Sequence, residues 1–546
     1  MMKKLSAILL ALVMVLSMTA TAFAANVTLP TGEVLKNHSF TAYQVFKGDW
    51  SAEDNTVGVL SNVTEGDGVD FDDFLAALQA NAEFGSKFTA CKTAEDVAKV
   101  LSGTANDSAL AKAVAEIAYA NIVEAAGIAL SAGENTLDDG YYLVVDSTEN
   151  VADGSAYNKA LLQVVGDITI GVKTDAPTLE KKVQEDNKTV GDNTYGEGYN
   201  DVADYDIGEA VPFILVASVP NMAEYDTYKY IFHDTLSAGL TVPSSVVVYL
   251  SSDKKVDDAD TEISDDAYDF AANGQSFTVS FENLKTVVGT SGAKYVIVAY
   301  TAVLNAGAEI GLPGNPNTAY LEYSNNPNHS GEGDNDNTGK TPDDKVIVFT
   351  YELDTTKIDG ATAEAEDPTE LADAEFVLYK VENSVNKYAI VDANGKITGW
   401  AEATTGADGK VAYPANSTLK SDADGLFKVI GLDDGTYYLK ETKAPVGYNL
   451  LKEDITVVIT ATTTNNDEWT SSDPAAALTN LAVTADGKAG AADKNTGIAS
   501  ITVANNKGTT LPETGGVGTT ILYAVGGLLV LGAAVLLITK KRMENN

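Results

Sequence analysis

Cysteine is almost absent from this sequence of 546 residues, in which Cys91 carries the only thiol. A single cysteine cannot form an internal disulfide, so any covalent cross-link within the chain has to use other side chains. We expect Cys91, which lies in a stretch of helical composition, to be a buried or partly buried packing residue. Histidine is scarce as well: His38, His233 and His329 lie in different regions without a nucleophile motif beside them. This distribution argues against a secreted enzyme of the triad type.

Basic residues are outnumbered by acidic ones. Lys and Arg total 36 against 78 Asp and Glu, which gives a formal net charge of −42. No excess of cations exists to neutralise phosphates, so we expect no nucleic-acid partner. The acidic balance suits a soluble extracellular surface. The content of hydrophobic residues, 45%, predicts a folded chain.

Long apolar runs are confined to the two ends of the chain. Residues 5–18 follow Lys3 and Lys4 and precede an Ala-x-Ala pattern that ends at Ala24, which predicts a secretory signal peptide over residues 1–24. Residues 521–538 carry no charge and are followed by the basic residues 540–542. Such a helix spans about 27 Å, close to the ~30 Å of a hydrocarbon core. The basic tail would stay on the cytoplasmic side.

A short motif precedes the second apolar run. Its residues are Leu511, Pro512, Glu513, Thr514 and Gly515. A pentapeptide, an apolar span and a basic tail in this order resemble the cell-wall sorting signal of Gram-positive bacteria. The resemblance implies that a sortase cleaves between Thr514 and Gly515 and passes the Thr514 acyl group to an amine of the peptidoglycan precursor or of another protein. The alternative is an ordinary single-span membrane anchor.

The remaining residues are numerous enough for about three domains. We predict a mixed N-terminal domain over residues 25–173, with two or three helices between residues 70 and 130 inserted among strands. Residues 174–344 have strand patterns only, including 211–219, 240–250 and 295–304, and predict a β-sandwich. Residues 345–507 predict a second sandwich, and residues 508–546 form the sorting signal. The fold class is therefore mainly β, with three tandem immunoglobulin-like sandwiches.

The first and third domains share short sequence strings. Residues 138–143 (DDGYYL) resemble 433–439 (DDGTYYL), and residues 39–44 resemble 375–380. We infer a common strand framework, to which the helices of the first domain are an addition. Aligning these strings puts Val145 where the third domain has Glu441, so we predict no acid-assisted cross-link in the first domain.

Three polar residues of the third domain share strand faces with apolar residues. Lys357 alternates with Leu353, Glu441 with Leu439, and Asn505 with Ile501 and Val503. Burial of these three polar groups without hydrogen-bond partners would reduce the stability of the folded domain. Burial lowers the pKa of a lysine and raises that of a glutamate, so the amine can attack the amide while the acid shuttles a proton. The alternative is that Lys357 reaches solvent and Glu441 pairs with Lys440 or Lys443.

The third domain also resembles the CnaB-type domain of Gram-positive pilins. The similarity is carried by residues 357–360 (KIDG), 374–376 (AEF) and above all 438–448 (YLKETKAPVGY). It implies an isopeptide bond in which Lys357 is the amine, Glu441 the catalytic acid and Asn505 the acceptor. Asn506 is the alternative acceptor, since only strand parity separates the two asparagines.

The second domain resembles the fimbrial isopeptide-formation domain of the same pilins, through residues 177–183, 233–241 and 315–325. That family implies a Lys–Asn bond assisted by an aspartate, which we assign to Lys181, Asn317 and Asp234. Lys182 is the alternative to Lys181, and Asn325 is the alternative to Asn317.

The whole chain resembles the major, or backbone, pilins of the SpaH/EbpB type. The resemblance implies a structural subunit of a sortase-assembled pilus whose partners are a sortase, further copies of the subunit, peptidoglycan and possible host surface ligands. It also implies a lysine that receives Thr514 of the next subunit, which we assign to Lys173 although the usual Tyr-Pro before it is missing. The alternative is a wall-anchored monomeric adhesin or a minor pilin at the tip or base. We expect neither a cofactor nor a metal, because Lys345 stands where a calcium loop beginning at Asp334 needs its final acid.

Overall fold

The computed structural model describes residues 25–29, 38–51, 59–102, 104, 108–148, 151, 153–156, 159–164, 168–169, 176–187, 194–223, 225–327, 338–464, 469, 473–508 and 517–543. The predicted signal peptide, the pentapeptide of residues 511–515 and Lys173 lie outside these ranges.

The N-terminal part combines two small sheets with a group of helices. Its strands are β1 (Ala25–Leu29), β2 (Phe40–Ser51), β3 (Val59–Glu65), β4 (Ile128–Leu130), β5 (Gly133–Leu137), β6 (Gly140–Asp146), β7 (Lys159–Val164) and β8 (Ile168–Thr169). One sheet has the order β5-β1-β8, and the other has the order β3-β2-β6-β7 with β4 on β2. The helices between β3 and β4 are α1 (Phe71–Ala80), α2 (Gly85–Phe88), α3 (Ala94–Leu101) and α4 (Ala109–Ala120).

Local capping explains where these helices begin. The side chain of Asp70 accepts a hydrogen bond from the Asp73 amide at the start of α1. Thr93 and Asp96 form a reciprocal capping box at the start of α3. The apolar faces of both helices are buried in one cluster with Phe46 and Tyr141 of the neighbouring sheet. The helices are thus an integral part of this domain's core.

The second part is a sandwich of two seven-stranded sheets. Its strands are β9 (Leu179–Gln184), β10 (Tyr199–Asn200), β11 (Val202–Asp204), β12 (Ala210–Ser218), β13 (Tyr230–Leu236), β14 (Leu240–Thr241), β15 (Val247–Ser251), β16 (Thr261–Glu262), β17 (Asp269–Asn273), β18 (Ser276–Phe281), β19 (Tyr295–Leu304), β20 (Asn315–Ser324), β21 (Thr338–Lys340) and β22 (Asp344–Phe349). A short helix, α5 (Leu284–Val288), follows β18. One sheet has the order β10-β9-β12-β19-β15-β16 with β14 on β19, and the other has the order β11-β22-β20-β13-β18-β17 with β21 on β20.

The third part is a second sandwich. Its strands are β23 (Tyr351–Asp359), β24 (Glu375–Glu382), β25 (Val385–Val391), β26 (Ile397–Glu402), β27 (Thr404–Thr405), β28 (Val411–Ala412), β29 (Leu419–Lys420), β30 (Leu426–Leu432), β31 (Gly435–Lys443), β32 (Ile455–Thr463), β33 (Leu478–Ala485), β34 (Lys488–Ala489), β35 (Ala491–Asp493) and β36 (Ile498–Asn505). Helix α6 (Pro474–Ala477) precedes β33. One sheet has the order β30-β23-β36-β35, and the other has the order β26-β25-β24-β31-β32-β33-β34. The first strand, β23, runs parallel to the last, β36.

A single residue connects the two sandwiches. Thr350 stands between β22 and β23 and is fully buried. Its carbonyl accepts a hydrogen bond from the Gly311 amide at 3.0 Å, and its hydroxyl donates to the Leu432 carbonyl at 3.1 Å. Lys380 of the third part also donates to Asp206 of the second at 2.7 Å. The joint is therefore packed and hydrogen-bonded on both sides.

The C-terminal helix α7 (Val517–Met543) follows the third sandwich. Its segment Ile521–Met543 is long and apolar enough to cross a membrane, and no part of it is buried against the rest of the chain. These properties agree with the apolar span predicted from the sequence.

The structure differs from the sequence predictions in three places. Four helices lie between β3 and β4 among the described residues, where two or three were predicted, because α2 is a single turn without a clear period. The predicted strand 240–250 is broken into β14 and β15, and Pro243, which has no amide hydrogen to donate, lies in the gap. Finally, β22 pairs with β20 and β11, so residues 345–349 belong to the second sandwich and not to the third.

Candidate functional site

The third sandwich contains a buried group of three polar side chains. Lys357 lies on β23 and Asn505 on the adjacent parallel strand β36, where Lys357 is opposite Val503. Glu441 projects toward them from β31 of the other sheet. All three are at most 4% exposed. The three residues singled out by strand parity therefore meet between the sheets.

The distances within this group suit a reaction in which the amine attacks the amide and the acid transfers a proton. Lys357 Nζ contacts Asn505 Oδ1 and lies 3.7 Å from Glu441 Oε1. Asn505 Nδ2 donates to both oxygens of Glu441, at 2.9 and 3.1 Å. Glu441 is held in place by the Leu451 amide, which donates to its Oε2 at 2.8 Å. One carboxylate thus touches the leaving nitrogen and stands close to the amine.

Burial controls the charge of the lysine. Desolvation lowers the pKa of Lys357 from its ordinary value of 10.5 to about 8, against the opposing effect of the Glu441 charge. A large fraction of such amines is neutral near pH 8, and only the neutral amine is a nucleophile. Asn506, the alternative acceptor, is exposed and does not join the group.

The second sandwich contains a similar group assembled from both sheets. Lys181 comes from β9 and Tyr300 from β19 of one sheet. Asp234 comes from β13 and Asn317 from β20 of the facing sheet. Asn317 is opposite Leu236 in the antiparallel register, so it is a diagonal neighbour of Asp234 on the inner face. The three sequence-predicted residues are thus brought together here as well.

Hydrogen bonds connect all four side chains of this second group. Lys181 Nζ contacts Asp234 Oδ2 and donates to the Tyr300 hydroxyl at 2.9 Å. Tyr300 donates to Asp234 Oδ2 at 2.8 Å, and Asn317 Nδ2 donates to the Tyr300 hydroxyl at 2.8 Å. Burial lowers the pKa of Lys181 and raises that of Asp234. Both shifts favour a neutral amine beside a protonated acid.

The two alternative residues of the second domain, Lys182 and Asn325, lie outside this group. Lys182 points to the opposite side of β9, where it forms an ion pair with Asp201 at 2.6 Å. Asn325 is buried beside Gly339, past the end of β20.

In the first domain, Val145 is buried in the helical cluster. Its strand β6 is an antiparallel neighbour of β2, as β31 is of β24 in the third domain, in keeping with the shared framework.

Tyr300 was missed by sequence reasoning. It alternates with Val298 and Ala302 on the inner face of β19. An inward tyrosine in a sandwich is ordinarily a core residue, so parity alone gave no reason to select it. Its connection to the lysine, the acid and the amide is visible only when the two sheets face each other.

Comparisons with known proteins agree with this architecture. Residues 207–327 match the domain model "Gram-positive pilin backbone subunit 2, Cna-B-like domain". Residues 353–473 match the SpaA prealbumin-like fold domain, and residues 504–545 match the LPXTG cell wall anchor motif.

One named relative and one solved structure are similar to this chain over most of its length. The trypsin-resistant surface T6 protein of Streptococcus pyogenes serotype M6 is 24% identical over 427 residues, which cover 68% of this chain and 70% of the relative. The solved structure of the T6 backbone pilin of serotype M6 Streptococcus pyogenes superposes with a TM-score of 0.51 at 18% identity and covers 90% of this chain and all of that one. This likeness supports the predicted fold class. Together, the two pilin domains, the anchor motif and the T6 relative indicate that this chain is a Gram-positive backbone pilin with an LPXTG cell-wall anchor.

Proposed function

We propose that this backbone pilin is a self-stapled shaft subunit, which forms two internal isopeptide bonds and is then joined to its neighbours by a sortase. The internal bonds are Lys357–Asn505 and Lys181–Asn317. Each forms once per molecule, so the chain modifies itself and does not turn over a substrate.

In the third domain, the reaction begins with neutral Lys357. Its Nζ attacks Cγ of Asn505, so that the Nζ–Cγ bond forms and the Cγ–Nδ2 bond breaks. Glu441 takes one proton from Nζ and gives one to Nδ2, which leaves as ammonia. Reactants held in contact in this way can save about 7–11 kcal/mol of the barrier. The 2.9 Å contact between Glu441 and Nδ2 supports the acid's role as a proton carrier.

The single observation that carries the proposal is the burial of an amine, an acid and an amide together in each sandwich. If no bond formed, burial of each group would destabilise the folded domain, because desolvation disfavours the charged forms of both the lysine and the acid. The lowered pKa of both lysines supports nucleophilic amines over permanent ion pairs.

Between subunits, we propose that the Thr514 acyl group is transferred to Lys173 of the next copy. The LPXTG motif supports sortase cleavage after Thr514. Lys173 lies a few residues after β8, which pairs with β1 at the edge of the N-terminal domain. In this step the Lys173 amine attacks the Thr514 acyl group held by the sortase, the new amide bond forms, and the enzyme is released.

Intact-mass measurement of the ectodomain tests the internal bonds directly. We expect a mass lower than that of the sequence by two ammonia molecules, and tandem mass spectra that join a Lys357 peptide to an Asn505 peptide and a Lys181 peptide to an Asn317 peptide. A protein with the full sequence mass would refute the proposal. A monomeric adhesin with the same internal bonds would instead give a single wall-linked band where a shaft subunit gives a ladder.

A further inference from the structure

The two candidate sites differ in how the acid reaches the amide. In the third domain, Glu441 itself accepts hydrogen bonds from Asn505 Nδ2 at 2.9 and 3.1 Å. In the second domain, Asp234 contacts the amine of Lys181, but the amide nitrogen of Asn317 donates to Tyr300. The second site therefore has a hydroxyl at the place where the first has a carboxylate.

The strand position of the acid and the length of its side chain together explain the difference. Aspartate is one methylene shorter than glutamate, and Asp234 and Asn317 are diagonal neighbours on adjacent strands, whose Cα atoms are about 7–8 Å apart. Asn317 Oδ1 and Asp234 Oδ1 are buried without a hydrogen-bond partner among the described residues, so the acid does not hold the amide by itself. Tyr300 from the opposite sheet spans the gap.

The hydroxyl of Tyr300 uses its full hydrogen-bonding capacity within the site. It accepts from Lys181 at 2.9 Å and from Asn317 at 2.8 Å, and it donates to Asp234 at 2.8 Å. The ring is fixed by stacking on Phe213, with centroids 5.3 Å apart, and by an edge contact with Phe277 at 4.9 Å. A group that contacts the amine, the acid and the leaving nitrogen at once is placed to move a proton between them.

We propose that Tyr300 is a catalytic residue of the second-domain bond, relaying a proton from Asp234 to the leaving nitrogen of Asn317. The inference rests on the proposed Lys181–Asn317 reaction. Asp234 is protonated at the start and passes its proton to the Tyr300 oxygen while the Tyr300 hydroxyl proton goes to Nδ2. As the Nζ–Cγ bond forms, one Nζ proton passes to Asp234 and replaces the proton that it has given. The Cγ–Nδ2 bond breaks, ammonia leaves, and Asp234 and Tyr300 regain their starting protonation.

The test is the rate at which each bond forms after refolding of freshly synthesised, unreacted ectodomain, followed by intact mass and cross-linked peptides. Tyr300→Phe removes the hydroxyl and keeps the ring that packs on Phe213. We expect the Lys181–Asn317 bond to form on the order of 10²-fold more slowly, the low end of general acid–base effects, while the Lys357–Asn505 bond forms at the parent rate. The matched control is Tyr230→Phe, because Tyr230 is fully buried in the same sandwich and donates to the Ser218 carbonyl, outside the site.

Replacement of Tyr300 by a fluorinated tyrosine gives a second readout that packing does not affect. Its phenol is more acidic at nearly the same shape, so a relay predicts faster bond formation. An unchanged rate in both Tyr300 variants would overturn the relay, even if the bond itself is present. If the parent protein does not lose ammonia from this domain, the proposed Lys181–Asn317 reaction is refuted, and the relay is refuted together with it.

Discussion

Glu441→Gln is the most informative substitution in the third domain. Glutamine fills nearly the same volume and can still accept the hydrogen bond from the Leu451 amide, but it cannot carry a proton from Lys357 to Asn505. We expect the variant to fold, to keep the bond of the second domain and to weigh one ammonia less than its own sequence, whereas the parent weighs two ammonia molecules less than its sequence. The third domain then loses its covalent tie without losing its shape.

The size of the effect follows from the loop that the bond closes. Lys357 and Asn505 are 148 residues apart in sequence. In the chain-entropy model for cross-links, a loop of that length contributes about 5 kcal/mol to the free energy of unfolding at 25 °C. For a domain of this size, that loss corresponds to a fall in melting temperature of about 10–20 °C.

Differential scanning calorimetry and intact mass on the same samples give the measurement. Glu375→Gln is the matched control, since Glu375 forms an exposed ion pair with Lys443 on the neighbouring strand at 2.6 Å and stands outside the buried group. It should weigh two ammonia molecules less than its own sequence, as the parent does, and melt within a few degrees of the parent. A Glu441→Gln protein that loses ammonia like the parent, or that lacks the bond and melts at the parent temperature, would refute the reasoning.

Four further results are expected. Asp234→Asn should lose the Lys181–Asn317 bond and keep the other, whereas Lys182→Met, which breaks a buried pair with Asp201 outside the site, should keep both bonds by intact mass. Lys173→Ala should abolish the detergent-resistant ladder on immunoblots of the bacterial cell wall while leaving both internal bonds, and a persistent ladder would exclude Lys173 as the acceptor. The rate of Lys357–Asn505 bond formation on refolding should rise about tenfold per pH unit up to about pH 8 and then level off, because only the neutral amine attacks and burial holds the pKa of Lys357 at about 8. In unbonded Asn505→Ala protein the same lowered pKa means that the unfolded state binds more protons between about pH 8 and 10.5, so the stability of the third domain should increase with pH in that window in urea titrations.

Strand parity predicted the third-domain group well because the period of a strand is short and strict. Glu441 and Asn505 follow apolar residues by two positions, and Lys357 follows Leu353 by four, so a shift of one residue would turn them outward. The same rule distinguishes Asn505 from Asn506, although it carries no information on distance. The fold class followed from the same alternation.

What the sequence did not predict depends on contacts between segments distant in sequence. Tyr300 looks like any inward aromatic residue until Asp234 and Asn317 face it from the other sheet. The assignment of residues 345–349 failed because their alternation is equally compatible with either sandwich, and only the pairing of β22 with β20 decides. Pro243 marks the break in strand 240–250, because proline has no amide hydrogen to donate to a sheet, whereas the valines on both sides of it favour a strand.

The joint at Thr350 has a consequence for the fibre as a whole. Only one buried residue lies between the consecutive strands β22 and β23. Hydrogen bonds from Gly311 to Thr350 and from Lys380 to Asp206 further restrict rotation of the second sandwich against the third. A pulling force along the chain therefore passes from β22 to β23 through a connection that is buried and hydrogen-bonded on both sides.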